Sequence, residues 1–192
     1  MNDPRPELWL ARHGETEWSR TSRHTSITDV PLTQAGERSA WELGDRLAGT
    51  SFDLVLSSPL SRARETARLA GFGDRIEIDP GAQEWRYGDH EGRTTAQIRE
   101  DDPDWSVWTH PSPGGESLEQ VAARADLLIA RVRREASTRA LVFSHGHFLR
   151  VLGARWMDLP PRVGANLVLD VATVSVLGWE RGETPAIQRW NA

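Results

Sequence analysis

An α/β fold follows from two features of the chain. Short, almost wholly apolar runs of strand length alternate with capped helical segments. Two of those runs, Leu8–Ala11 and Ala140–Phe143, end in the same way: Arg12-His13-Gly14 closes the first and Ser144-His145-Gly146-His147 the second. A continuous apolar run marks a strand buried on both faces, as in a parallel sheet, and ligands of such folds collect at the strands' carboxyl ends. Arg12 and His13 therefore stand at a candidate site. Histidine is a nucleophile and proton carrier near neutral pH, and arginine carries a permanent charge on a fork shaped for phosphate oxygens. Gly14 leaves room where the backbone turns. The tripeptide alone fits equally a strand end with an incidental histidine.

Taken in order, the polar, hydroxyl-rich stretch from Glu17 to Val30 has neither helical nor strand period and reads as a binding or connecting loop. Thr33 is an N-cap for a helix carrying Ala40, Leu43 and Leu47. Asp53–Ser57 is a short buried strand, and Ser58-Pro59 reads as the cap and first position of the next helix. That helix puts Arg62 in its first turn, where a cation is unfavourable by about 0.3–1 kcal/mol and an anion is wanted. A solvated Arg62 is the plainer alternative. Ile76–Ile78 is a third strand. Glu84 follows among Trp85 and Tyr87, surroundings that suit either a carboxyl tuned for proton transfer or a buried partner of an arginine.

A short helix spans Thr94–Glu100. The Pro- and Trp-containing segment 101–115 is irregular, either a partial lid or a strap anchored by Trp105 and Trp108. Ser117 with Gln120 caps the clearest amphipathic helix, which runs to about Glu135. After the 140–144 strand a helix covers Phe148 to about Met157, and Leu167–Asp170, Thr173–Trp179 and Ala186–Trp190 read as closing strands.

Composition narrows the chemistry. The 192 residues suit one domain, 1–192, with 1–6 a flexible polar stretch. A net charge of −5 argues against a nucleic-acid partner. With no cysteine, thiolate metal sites and cysteine catalysis are excluded. All 23 basic residues are arginine, so a Walker-type phosphate loop and a Schiff-base lysine are excluded too. No stretch approaches the roughly 18 apolar residues of a membrane span, and no secretory leader pattern opens the chain. The expectation is a cytoplasmic protein without a membrane partner.

The histidines at two strand ends admit two chemistries. His13, His145, His147 and the acids could ligate a metal, which needs three protein ligands. Metal-free phosphoryl transfer fits better. One neutral histidine attacks phosphorus, a protonated second histidine and two arginines neutralise the equatorial oxygens, and a carboxylic acid protonates the leaving alkoxide.

Arg12-His13-Gly14-Glu15-Thr16-Glu17-Trp18, Asp29-Val30-Pro31-Leu32-Thr33, Ser57-Ser58-Pro59-Leu60-Ser61-Arg62-Ala63-Arg64-Glu65-Thr66-Ala67 and Ser144-His145-Gly146-His147 together resemble the histidine phosphatase superfamily, also called phosphoglycerate-mutase-like. The resemblance implies a three-layer α/β/α sandwich with a mostly parallel sheet and a phosphohistidine on His13. It implies that Arg12, Arg62 and His145 hold the phosphoryl group and that Glu84 gives and then takes the proton. It places Ser19, Thr25, Tyr87 and His147 against the substrate, with His24 and His90 as further contacts or ordinary surface histidines. It implies no cofactor and no metal.

The mutases of that family carry Asn and Gly where this chain has Ser19 and Ser26, Asn where it has His147, and a lysine that this chain lacks. The stretches around Glu84–Gly92, Pro103–Trp105 and Thr25–Asp29 look more like its small acid phosphatases and sugar-bisphosphate phosphatases. The expected activity is a metal-independent phosphomonoesterase acting on small phosphorylated metabolites, with an optimum at or below neutral pH. A cofactor-dependent mutase and a catalytically silent phospho-ligand-binding module are the alternatives. A homodimer is compatible with the sequence.

Overall fold

Period-2 alternation along two strands divides the core in two. In β1 (Glu7–Arg12) and β4 (Arg139–Ser144), Leu8, Leu10, Ala140 and Val142 enter one apolar cluster, and Ala11, Leu141 and Phe143 enter the other. The first cluster is completed by α5 (Leu118–Glu135) and α6 (Gly146–Trp156), through Val121, Leu128, Leu149 and Trp156. The second is completed by α2 (Gln34–Leu47) and α3 (Ser61–Leu69), through Leu43, Leu47 and Ala67. Helices thus cover both faces of one sheet, the expected α/β/α layering.

The computed structural model describes residues 5–192, so Met1–Pro4 of the polar N-terminal stretch lie outside the described residues. Pro6 of that stretch is buried, and its carbonyl accepts from the Trp179 indole at 3.1 Å. The sheet also contains β2 (Leu54–Ser57), β3 (Glu77–Ile78), β5 (Val174–Glu180) and β6 (Thr184–Arg189), in the order β3-β2-β4-β1-β5-β6. The β2–β3, β2–β4 and β1–β4 pairs are parallel, whereas β1–β5 and β5–β6 are antiparallel. Among the described residues no helix is long and apolar enough to cross a membrane.

Side-chain caps mark several helix starts, and the sequence offers two of them, Thr33 and Ser117. Thr33, Thr94 and Ser117 each accept from a first-turn N–H, starting α2, α4 (Thr95–Asp101) and α5. The sequence reading is corrected at four places. The 17–30 loop begins with one helical turn, α1 (Glu17–Arg20), closed by a reciprocal cap between Thr16 and Ser19. The helix expected at Ser58 starts at Ser61, because the Ser58 hydroxyl is engaged with His145 while Asp29 accepts from both the N–H and the hydroxyl of Ser61. Helix α6 starts at Gly146 rather than Phe148. Leu167–Asp170 is not a strand. It leaves a 3-10 turn at Pro161–Asn166, and the Leu169 carbonyl accepts from Arg12 instead of a sheet neighbour. The 101–115 segment is a strap, anchored by Trp105, which is buried, and Trp108, which is half-buried.

The turn after β1 is held by contact between two backbones. A Cβ on Gly36, in the first turn of α2, would lie 2.1 Å from the Glu15 carbonyl oxygen, and one on Gly14 would lie 2.4 Å from the Gly36 carbonyl oxygen. Helix propensity favours Ala over Gly by about 1 kcal/mol, whereas overpacking against backbone costs about 1–3 kcal/mol or more. Gly36→Ala should therefore lower the urea midpoint of unfolding despite the better helix former. An unchanged or raised midpoint would show that the two backbones separate freely.

Candidate active site

The parallel β1–β4 pairing sets two histidines side by side. The His13 N–H donates to the Ser144 carbonyl at 3.0 Å, and the His13 and His145 ring centroids are 5.1 Å apart. His13 is buried, with Nδ1 2.7 Å from the Gly14 carbonyl oxygen. A carbonyl only accepts, so Nδ1 carries the proton and the Nε2 lone pair is left without a protein donor. Burial, reinforced by the Arg12 and Arg62 charges, holds the His13 pKa well below the usual 6.5. The ring is a neutral, oriented nucleophile.

Arg62 is buried, and its donors are spent on its own surroundings. Nε donates to His145 Nδ1 at 3.2 Å, Nη1 to the Thr28 carbonyl at 3.0 Å, and Nη2 to the Ser26 carbonyl at 3.1 Å. The plainer reading of Arg62 as a solvated side chain is thereby overturned. The loop supplying those carbonyls is clamped by Glu91, which accepts from the Ser26 N–H at 2.7 Å, the Thr28 N–H at 3.1 Å and the Ser26 hydroxyl. Because Arg62 Nε can only donate, His145 Nδ1 is an acceptor, and Nε2–H lies 2.8 Å from the Ser58 hydroxyl. Burial and the Arg62 charge also push the His145 pKa well down. The expected imidazolium is corrected: His145 is a neutral hydrogen-bond donor, since a second cation against Arg62 in a dry site is unfavourable.

Glu84 is buried at the N-terminus of α6, whose N-cap residue, His145, makes no capping bond with its own side chain. Oε1 accepts from the Phe148 N–H at 2.8 Å and the Trp85 N–H at 2.9 Å, and Oε2 from the His147 N–H at 3.1 Å. Helix N-termini favour anions, and this carboxylate takes the place of the missing cap. Of the two readings of Glu84, partner of an arginine does not hold. No arginine lies within ion-pair distance of its carboxylate among the described residues, and Arg124 pairs with Glu116 at 2.9 Å instead.

Arg12 and His13, with Glu84, line a cleft of about 350 Å3. The Arg12 guanidinium packs over Gly146, where a Cβ would lie 3.2 Å from its central carbon. One Arg12 amino group donates to the Leu169 carbonyl, and Nε, packed against Gly146, is buried with no hydrogen-bond partner among the described residues. Ser19, Thr25, Tyr87 and His147 all line the same cleft. The Ser19 hydroxyl is committed to the backbone of Thr16 and that of Thr25 to the Arg23 carbonyl. Tyr87 Oη is 2.7 Å from His147 Nδ1, and burial keeps Tyr87 a phenol.

His24 also lines the cleft, 4.7 Å from the Tyr87 ring between centroids, and burial pushes its pKa down to about 4. His90 packs on Trp105 and donates to or accepts from the Ser112 hydroxyl at 2.9 Å, outside the cleft lining. Arg62 and His145, both buried, are not among the residues that line the cleft. Sequence reasoning missed Ser58, Glu91 and Arg150. The first two act through partners distant in sequence, and Arg150 sits three residues after His147 on α6, a spacing that shares a face. Among the described residues no three His, Asp or Glu side chains gather as a metal cluster. A larger cleft of about 540 Å3 between α2 and α3 contains none of these groups.

The chain is 44% identical over 178 residues to an acid phosphatase of Mycobacterium tuberculosis, covering 91% of this chain and 87% of that protein. It is 32% identical over 200 residues to sedoheptulose 1,7-bisphosphatase of Saccharomyces cerevisiae, covering 88% and 74%. Among solved structures, a mycobacterial glucosyl-3-phosphoglycerate phosphatase in complex with VO3 superposes with a TM-score of 0.87 at 28% identity, covering 97% of this chain and 99% of that one. The family model for the histidine phosphatase superfamily (branch 1) matches residues 8–192, and the chain belongs to that family.

Proposed function

We propose that this protein is a metal-independent phosphomonoesterase that hydrolyses small phosphorylated metabolites through a phosphohistidine on His13. The observation that carries the reading is the neutral His13 ring, its Nδ1 proton tied to the Gly14 carbonyl, in a cleft that Arg12 and Glu84 also line. Nε2 attacks phosphorus and the P–O ester bond breaks. Glu84, which takes up a proton as the substrate binds, gives that proton to the leaving alkoxide and returns to the carboxylate held by the N–H groups of α6. Water then attacks the phosphohistidine, its proton passes to Glu84, the N–P bond breaks and inorganic phosphate leaves. Arg12 binds the equatorial oxygens directly. Arg62 supplies fixed positive potential and His145 a hydrogen-bond donor next to the nucleophile.

The names of the relatives support small phosphorylated substrates, and Ser19, Thr25, Tyr87 and His147 are proposed to form the wall against which the leaving group rests. The setting proposed is the cytoplasm. No residue of a second copy enters this mechanism, so it serves a monomer or a homodimer alike.

His13→Ala should reduce phosphate release from p-nitrophenyl phosphate by at least about 10³-fold, and EDTA should leave the wild-type rate unchanged. Activity in the variant, or loss with the chelator, would defeat the mechanism. Glu84→Gln adds a finer test. p-Nitrophenolate leaves without a proton, whereas the second step still needs a base, so the variant should show a burst of p-nitrophenolate equal to the enzyme followed by slow turnover. Release of inorganic phosphate without an isomerised product separates hydrolysis from mutase action, and any turnover separates it from silent binding.

The histidine environments set opposite pH trends for rate and stability. His13 stays neutral well below pH 6.5, so kcat/KM should not fall with an apparent pKa near 6.5. For stability the folded-state pKa of His24 is about 4 against 6.5 unfolded. The unfolded chain then binds more protons between those values, and stability falls as pH drops through that window, by about 3 kcal/mol for His24 alone once both forms are protonated. His13, His145 and His147, all shifted down, act in the same direction. Urea midpoints measured from pH 7.5 to pH 4.5 should decline steadily; a flat profile would contradict the burial of neutral imidazoles.

A further inference from the structure

Arg150 takes no part in the chemistry above, yet it is built into the cleft wall. It is half-buried; Nε donates to the Gly164 carbonyl at 3.0 Å and Nη2 to the Ala165 carbonyl at 2.9 Å. Its guanidinium lies over the Trp108 ring, 4.7 Å from the centroid. Two carbonyls and an aromatic face therefore fix the fork in place before any ligand arrives. No carboxylate lies within ion-pair distance of it among the described residues, and its second amino group, Nη1, makes no hydrogen bond within the protein.

The charge of the cleft points the same way. Its lining includes Arg12, Arg23 and Arg150 against the single carboxylate of Glu84, in a chain whose net charge is −5. His24 and His147 are neutral at ordinary pH, so they offer hydrogen bonds and ring surface but no charge. Arg12 and the buried Arg62 suffice for one phosphoryl group at His13. Arg150 then stands on the cleft wall as a fixed cation with no anion to meet among the described residues.

We propose that Arg150 is the recognition point for a second anionic group on the substrate, so that the preferred substrates are phosphomonoesters whose leaving group carries a further phosphate or carboxylate. Neutral polar atoms of the leaving group meet His24, Tyr87 and His147 between the two anion sites. This inference rests on the phosphatase reading and adds the class of substrate to it.

Matched pairs test it: fructose 1,6-bisphosphate against fructose 1-phosphate, and 3-phosphoglycerate against glycerol 3-phosphate, with p-nitrophenyl phosphate as reference. In the wild type, kcat/KM for the member with the second anion should exceed that of its partner by about tenfold or more in at least one pair, and the pair that responds tells phosphate from carboxylate. Arg150→Met should bring that ratio to within about twofold of one, and Arg150→Gln, which keeps a donor for the Gly164 and Ala165 carbonyls, should do the same if the Met variant does not fold. Arg150→Lys, a point charge without the fork, should retain part of the preference.

A wild type indifferent to the second anion, or variants that lose both members of a pair equally, would overturn the proposal. Failure of the underlying reading looks different: no phosphate is released from any of the five compounds, or release persists in His13→Ala.

Discussion

One backbone hydrogen bond, from the His13 N–H to the Ser144 carbonyl, carries the site. It closes the parallel ladder in which Arg12 faces Ser144, and it delivers His13 and His145 to the same sheet edge. Side chains alternate along a strand, so a slip of one residue would turn each histidine to the opposite face. Two apolar clusters guard against that slip. Leu8 and Leu10 belong to one and Ala11 to the other, and the same division holds for Ala140, Val142, Leu141 and Phe143 across the ladder. The catalytic geometry is thus specified by hydrophobic burial on both faces of the sheet, not by contacts among the catalytic groups.

Those groups are arranged at a cost in solvation that the chain offsets only in part. Arg62 is buried without a close carboxylate; Asp29, its nearest, is 4.0 Å away and half exposed. Loop carbonyls take its donors, and Glu91 holds the loop in turn. A run of contacts therefore leads from Glu91 through residues 25–28 to Arg62 and on to His145 Nδ1. Arg12 is left with a buried donor unpaired. Donors fixed in advance stabilise developing negative charge without reorganising, which is where such a site recovers what burial costs it. Charge on the two histidines would undo this, and burial beside arginines keeps both rings neutral.

How much of this was legible in the sequence depended on how local each cause was. The apolar runs at Leu8 and Ala140, and the caps at Thr33 and Ser117, are decided within a few residues and read directly. Ser58 looked like another cap because its neighbours fit; its hydroxyl instead meets His145, 87 residues away, and Asp29 does the capping work at Ser61. Leu167–Asp170 had strand-like composition, yet tertiary demand from Arg12 claimed a carbonyl there. Arg12, His13 and His145 stood out at two strand ends, whereas Arg62 and Glu84 were singled out as site residues only by the resemblance to the family. The charge state of His145 was not, since it follows from which of its nitrogens faces Arg62. Arg150 was invisible for a similar reason, being one arginine among 23 until α6 is placed against the cleft.

Helix α6 joins the two halves of the site without merging them. Its first-turn N–H groups, from His147 and Phe148, hold the carboxylate of Glu84. The side chains of His147 and Arg150, three residues apart on α6, line the cleft. In the mechanism proposed above, the backbone of α6 orients the acid and its side chains face the leaving group. Replacing a wall side chain changes what the cleft admits while the N–H groups that orient Glu84 stay where the helix puts them. The same frame can therefore serve different leaving groups, because the backbone that positions the acid does not depend on which side chains the helix carries.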